Sequence, residues 1–430
     1  MTLRLGSYIP QEPFEGLSKQ EIAEIDLPEG FPFLLCASDC QVDRVSFHYF
    51  LSRYRGVKVY RSNVKHSHPL YFRTHLSVGS LRTAADNIRL WLGYLSYIGK
   101  VLTEGSVSDF KAFVNGYAIT RNRITGQLLS RSTVRARIGH IRDFILFTNY
   151  LGVTDIDPNE ISPDKIGVSG RDIAPRIRVI TYEEWKKLRH CLGGLPEDSA
   201  SPQELCRDRL VFETMIHTGL RVTEVISLTA PQILALECEL PRVDEAREME
   251  AVSLYLTKVK GGPRRARTVL FPVWLVRNLL IYIDDERRQS AAAFRQNNKK
   301  AAPNNLFLNH SHSRRNPGGA LKPGRLKGMI KEYCIQADLL REVEYLNMGT
   351  GEYRTNLISK FSAHDLRHTA AVWRYVAAVQ TGDRAPMKTV QILLGHKSEA
   401  TTANIYLQIS SQFEATVSDT SLNFFRGLSS

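Results

Sequence analysis

Long apolar runs are missing from this chain. No stretch approaches the ~18 consecutive apolar residues of a membrane-spanning helix, and Met1 to Pro10 lacks the basic segment and long apolar run of a signal peptide. Both absences lead us to expect an intracellular protein with no membrane partner. Cysteine is scarce: six in 430 residues, scattered at positions 36, 40, 191, 206, 238 and 334, exclude a disulfide framework and suit a reducing compartment. Cys36 and Cys40 make only a weak metal half-site. Acidic residues are in deficit, 44 Asp plus Glu against 57 Lys plus Arg, for a formal charge of +13. Such a field attracts polyanions, nucleic acid first among them. The remaining composition, 43% hydrophobic and 23% charged, excludes wholesale disorder. At about 100–200 residues per domain, the length allows roughly two to four domains.

The charge is uneven. Residues 1–40 carry two basic and seven acidic side chains, net −5, whereas Ser77 to Gly152 carries ten and four, net +6. A boundary near residue 76 follows, setting off an N-terminal region, 1–75, whose role no motif discloses. Its basic and aromatic cluster between Arg53 and Lys65 is open between DNA, another protomer and plain solvation. Past the boundary, Leu81, Ala85, Ile88, Leu92, Leu95 and Ile98 recur at helical spacing, as do Val134, Ile138, Ile141 and Ile145 after Ser132. Arg131, Arg135 and Arg142 form a cationic stripe on the second helix, either a solvated face or a DNA contact. This places a helical domain at 76–155. Residues 156–178, within an Asp-, Pro-, Ser- and Gly-rich stretch without period, read as a linker.

Thr181, followed by Glu183, Glu184, Trp185 and Leu188, opens a helix and a second domain, 179–410. Ala251 to Val259 alternates, meets Gly261-Gly262, and resumes from Arg267 to Phe271, a strand-turn-strand pattern. Helices are predicted around Leu210–Leu228, Val273–Arg288, Asp365–Gln380 and Met387–Leu394, and a loop with one short strand over Ala291–Lys322. The fold class expected is mainly α with a small β-sheet, α+β.

Four separated pieces carry chemistry: Thr218-Gly-Leu-Arg221-Val-Thr-Glu224; Lys258-Val-Lys260-Gly-Gly; His364-Asp-Leu-Arg367-His368; and Leu394-Gly-His396 followed by Tyr406. Read singly, each has a plainer meaning. Arg221 can salt-bridge Glu224 three residues on. His364 and His368 around Asp365 mimic a zinc-protease helix, although that motif has Glu where Asp365 stands and Arg367 would set a cation beside the metal. His396 and Tyr406 can be ordinary loop and anchor residues.

Together, in this order, the pieces resemble the tyrosine recombinase family, the phage-type integrases, over about Ser77 to Gln408. The resemblance implies a helical core-binding domain and a catalytic domain closing as a clamp around double-stranded DNA. It implies that Arg221 and Arg367 grip the non-bridging oxygens of the phosphate, with Glu224 orienting Arg221 from behind. His364 then moves the tyrosine proton, His396 bonds the phosphate, and Tyr406 attacks to give a 3′-phosphotyrosine. A lysine in the hairpin acts as general acid to the leaving 5′-oxygen; Lys260, just before the glycines, fits better than Lys258, though both share a strand face. No cofactor, metal or ATP is implied.

The spacing from His396 to Tyr406 is one residue longer than the commoner family pattern. The tail, 411–430, is expected to dock on a neighbouring protomer, as family tails do. Cutting four strands needs four sites, hence a homotetramer on paired DNA sites, with accessory DNA-bending proteins or a partner recombinase left open. The expected function is site-specific DNA recombination or integration, cutting and rejoining strands for a mobile element in the cytoplasm, associated with the nucleoid, with integration, excision and transposition not separated by the sequence. Resolution rather than integration, or a type IB topoisomerase-like relaxing activity, are the alternatives.

Overall fold

The computed structural model describes residues 3–7, 27–36, 41–56, 75–118, 128–157, 159–162, 164–167, 177–198, 205–242, 251–256, 266–346 and 350–395. The chain divides into two compact units, residues 1–174 with 344–354 and residues 175–343 with 355–430.

In the first unit, strands β1 (Leu3–Ser7) and β2 (Pro32–Cys36) pair antiparallel with Leu5 opposite Leu34. Helix α1 (Arg44–Arg55) starts where the Asp43 carboxylate accepts the Ser46 N–H at 2.9 Å. Helices α2 (Val78–Tyr97), α3 (Val107–Ala118) and α4 (Arg131–Tyr150) follow. Ser77 and Ser130 cap α2 and α4, their hydroxyls accepting the N–H of Ser80 at 3.3 Å and of Thr133 at 3.2 Å. The expected stripes face inward over most of their length: Leu81, Ala85, Ile88 and Leu95 on α2, and Val134, Ile138, Ile141 and Ile145 on α4, are buried, whereas Leu92 is half-buried and Ile98, just past the end of α2, is exposed.

Phe31, Leu34, Phe47 and Phe50 from the N-terminal region share one core with Leu81, Ile88 and Phe144. The charge break near residue 76 therefore falls inside a single hydrophobic core. Charge marks the surface, and apolar residues on both sides of the break are buried together. Ile156, Ile161 and Ile166, from the stretch that reads as linker, likewise pack with Trp91, Phe110 and Ile138. Their five-residue spacing matches neither helix nor strand, so periodicity could not reveal them.

The second unit opens with α5 (Tyr182–Leu192), where Thr181 and Glu184 cap reciprocally: Thr181 N–H donates to Glu184 Oε2 at 2.8 Å and Glu184 N–H to Thr181 Oγ1 at 3.3 Å. Where one helix over Leu210–Leu228 is predicted, the chain forms α6 (Arg207–Thr218) and α7 (Val222–Ser227), broken at Gly219 with φ 63°. Helix α8 (Ala230–Leu234) leads towards the hairpin of β3 (Ala251–Leu256) and β4 (Arg267–Pro272), closed by Leu256 opposite Arg267. Val252, Leu254 and Leu256 are buried, as the alternation predicts.

Helix α9 (Val273–Tyr282) continues through a π turn (Ile283–Arg287) into α10 (Arg288–Asn298), so the polar stretch after Ala291 begins as helix rather than loop. Its alanines and long polar side chains favour helix. After α11 (Pro323–Gln336), β5 (Leu340–Leu346) and β6 (Tyr353–Ser359) pair in a two-stranded sheet. The sequence reading has no counterpart for it: β6 is exposed from Tyr353 to Leu357 and so lacks the period-2 pattern of a half-buried strand. Helices α12 (Ala363–Gln380) and α13 (Pro386–Leu394) complete the described chain. Mainly α with small sheets is the architecture observed. Among the described residues no helix is long and apolar enough to cross a membrane.

Candidate active site

The break after α6 creates the site. Gly219 takes φ 63°, a left-handed value that glycine adopts without the Cβ penalty, and its N–H returns to the Met215 carbonyl at 3.0 Å. The chain then turns so that Arg221 caps α7. Arg221 N–H donates to Glu224 Oε2 at 2.9 Å and Arg221 Nη1 to Oε1 at 3.0 Å. The expected pair of Arg221 and Glu224 is thus formed, at a helix start rather than along a helix face.

Glu224 has a second partner. Arg267, the first residue of β4, reaches it with a parallel fork, Nη1 to Oε1 at 2.9 Å and Nη2 to Oε2 at 3.0 Å. Burial pushes the Glu224 carboxyl up, but the Arg267 hydrogen bond, the Arg221 N–H and both positive charges outweigh it and hold the group below the usual range.

Arg367 follows the first turn of α12, a helix whose start is fixed by Asp365. The carboxylate accepts Ser362 N–H and Oγ, both at 2.8 Å, and Arg178 Nη2 at 3.1 Å. The Arg367 side chain is buried, with Nη1 donating to the Gly219 carbonyl and Nη2 to that of Leu394. Burial, and after it the neighbouring Arg221, pull its guanidinium down to about 9. It is still a cation at neutral pH.

Two guanidiniums, Arg221 and Arg267, therefore share one carboxylate, and a third, Arg367, stands beside them on the Gly219 carbonyl. The positive excess sits in a partly dry place, and the Arg221 side chain keeps 28% of its surface open to solvent. Guanidinium forks match the planar edges of a phosphate, and an oxyanion placed there would offset the charge.

His364 lies on the exposed side of the same first turn, its ring edge-to-face with His368 at 4.4 Å and 80°. Burial first, then His364, lower His368 to about 4, so it is neutral at physiological pH. Asp365 is committed to the helix cap and Arg178, and among the described residues no group of three or more His, Cys, Asp or Glu is placed to hold a metal ion. The zinc-protease-like reading of this helix thus gains no support from its geometry.

Helix α13 ends at Gly395, φ 61°, where the helix predicted around Met387–Leu394 stops. Its Val390 and Leu394 pack against Ala371 of α12. His396 and Tyr406 lie outside the described residues, as do Lys258 and Lys260 between β3 and β4. Arg131, Arg135 and Arg142 belong to α4 in the first unit. The described site thus brings together Arg221, Glu224, Arg367 and the turn leading to His396.

Arg267 was not singled out from sequence, yet a signal existed. It shares strand parity with the buried Val269 and Phe271, so period 2 turns it to the core face, and a buried arginine calls for a carboxylate.

Residues 194–412 match the model of the phage integrase family. No curated protein matches the chain. Solved structures similar to it include the Tn1549 transposon integrase with a circular-intermediate DNA, 15% identical over 87% of this chain and 98% of that one, TM-score 0.46. A lambda integrase dimer on a COC′ core site is 15% identical over 77% of this chain and 72% of that one, TM-score 0.41. Because the family match spans just over half of the sequence and encloses the arginine cluster, the chain belongs to the phage integrase family, the tyrosine site-specific recombinases.

Proposed function

We propose that the protein cuts and rejoins double-stranded DNA at specific sites through a 3′-phosphotyrosine, on behalf of a mobile element. The observation that carries this reading is the arginine cluster, in which Arg221 and Arg267 pair with the carboxylate of Glu224 while Arg367, buried beside them, donates to the Gly219 carbonyl two residues before Arg221. A phosphodiester entering it meets fixed positive charge where negative charge builds on the non-bridging oxygens of a five-coordinate phosphorus.

In the proposed step the Tyr406 oxygen attacks phosphorus, the bond to the 5′-oxygen breaks, and the phosphoryl group passes to the tyrosine. His364 takes the phenolic proton, His396 bonds the phosphate, and Lys260 gives a proton to the departing 5′-oxygen. Rejoining reverses the sequence with a 5′-hydroxyl from another strand. Since fixed guanidiniums supply the charge, the reaction is proposed to need neither a metal ion nor ATP. Positive charge over Ser77–Gly152, with Arg131, Arg135 and Arg142 on α4, is proposed to hold DNA through its phosphates. Four such sites, one per strand, make a tetramer on paired DNA sites the proposed working form.

The test uses nicked duplexes drawn from DNA flanking the gene, incubated with the full chain in EDTA so that cleavage loses a short 5′ fragment and cannot reverse. Mass spectrometry of the digested adduct is expected to find the nucleotide on Tyr406. An adduct elsewhere, or none, overturns the reading. A supplied 5′-hydroxyl strand should then be joined to the trapped one, whereas relaxation of plasmids without exchanged products would point to a topoisomerase-like activity.

The two lysines are separable in the same assay. Lys260→Ala is expected to slow cleavage by about 10²–10⁴-fold, the span of general acid catalysis, and Lys258→Ala by less than about tenfold. A substrate with sulfur at the 5′ bridge needs no proton on leaving and should restore the slower variant.

A further inference from the structure

Arg267 belongs to none of the motifs, yet it touches the site from two directions. Its guanidinium takes both oxygens of Glu224 in a parallel fork at 2.9 and 3.0 Å, and the side chain is only 10% exposed. On another side it lies against Gly395. A Cβ built on that glycine would come within 2.7 Å of Arg267 Cδ and 2.9 Å of its Nη1.

The same turn is gripped by Arg367, whose Nη2 takes the Leu394 carbonyl. The turn that leads into His396 is thus held by one guanidinium and packed closely by another, and each leads back to Arg221. Arg267 reaches it through Glu224, while Arg367 reaches it through the Gly219 carbonyl two residues earlier. Arg267 is also the first residue of β4, opposite Leu256, just after the segment of sequence that carries Lys258 and Lys260.

We propose that Arg267 is a positioning residue for strand cleavage: it fixes the plane of the Glu224 carboxylate, and so the reach of Arg221, relative to the Leu394–Gly395 turn. The proposal rests on the recombinase reading of this site. A lone positive charge would neutralise Glu224 without fixing its rotation, whereas a two-pronged fork does both. Glycine at position 395 is needed twice over, for its positive φ and for the space that Arg267 occupies.

The experiment measures the single-turnover rate of adduct formation at saturating full-length protein, with DNA affinity and thermal unfolding recorded beside it. Arg267→Gln is expected to lower the rate by about 10²-fold, the cost of misplacing a reacting group by about 1 Å, while DNA affinity stays within about threefold. Arg267→Lys, which keeps the charge and the stem, should recover part of the loss. Gly395→Ala should slow the wild-type protein but add little to Arg267→Gln, because the fork on Glu224 that the crowding would displace is already gone; the backbone strain of alanine is common to both backgrounds.

A rate for Arg267→Gln within about threefold of wild type overturns the proposal, as do full multiplication of the Gly395→Ala and Arg267→Gln effects and a loss explained by DNA affinity alone. Should Arg267→Gln fail to unfold cooperatively, Arg267→Lys and Gly395→Ala decide by the same criteria. Tyr406→Phe is the blank. No Tyr406-dependent adduct from wild-type protein sinks the recombinase reading and this role with it. A normal adduct rate in the Arg267 variants sinks this role alone.

Discussion

Arg367→Gln is expected to slow formation of the covalent DNA adduct by about 10²–10³-fold, the usual cost of removing one fixed donor from a developing oxyanion. Arg367 is the most deeply held cation of the site. Its two carbonyl partners, Gly219 and Leu394, set its position without neutralising it, and Arg221 and Arg267 add like charge around it. Such a group is preorganised at the expense of the unbound state, so most of its favourable interaction is realised only when a phosphate is present. Lysine should not rescue it, because one ammonium cannot serve two carbonyls and a phosphate oxygen in a single plane.

A stability loss accompanies the substitution, since a buried carbonyl left without its donor costs about 1–3 kcal/mol. Thermal unfolding measures that part separately. The substrate supplies a second check. A methylphosphonate linkage lacks one charged non-bridging oxygen, so the deficit of Arg367→Gln should shrink on it if the arginine works by neutralising that charge. An equal deficit on both linkages would assign Arg367 to architecture alone.

The helices were legible in the sequence where one face is buried and the other wet. Leu81 to Leu95 and Val134 to Ile145 show the period, and Ser77, Ser130 and Thr181 mark the starts by chemistry that is local. The α6–α7 break was not legible as a break. Leu210 to Leu228 keeps apolar residues coming, and Gly219 declares itself only through its left-handed φ. The paired strands β5 and β6 escaped because the exposed run of β6 leaves no alternation to read.

At the candidate site, order and spacing single out Arg221, Glu224 and Arg367, which the fold brings together, and His364, which lies on the exposed side of its helix. The convergence of Arg267 on Glu224 was not, because 43 residues separate them and long-range ion pairs leave no periodic trace. Nor could charge alone divide the chain. The acidic first segment and the basic helices bury their apolar faces in the same core, where Phe31 and Leu34 pack with Leu81 and Ile88.

Glu213→Gln is expected to destabilise the fold by about 3–5 kcal/mol, the cost of breaking a buried ion cluster from one side. Glu213 lies on α6 with no exposed side-chain surface. It accepts Arg189 Nε at 3.0 Å, Arg209 Nε at 2.7 Å and pairs with His217 Nε2 at 3.1 Å. Removing its charge leaves Arg209, itself nearly buried, without an anion. At about 2–4 °C per kcal/mol for a domain of this size, the midpoint should fall on the order of 10 °C.

The effect carries a pH signature. Burial pushes the Glu213 carboxyl up, but the His217 hydrogen bond and the charges of Arg209, His217 and Arg189 outweigh it and hold the group below its ordinary value. A carboxylate whose folded pKa is depressed contributes fully above its unfolded value, about 4.3, and loses that contribution as pH falls through the folded value. The gap between wild type and Glu213→Gln should therefore be widest at neutral pH and close in acid, and a gap that stays constant would refute the assignment. Helix α6 is also held at its other end, where Glu286 from the π turn accepts the N–H of Cys206 at 2.8 Å and of Arg207 at 2.9 Å. Since α6 delivers Gly219 and Arg221 but Glu213 never meets the phosphate, the adduct rate per folded molecule should survive this substitution, unlike that of Arg367→Gln.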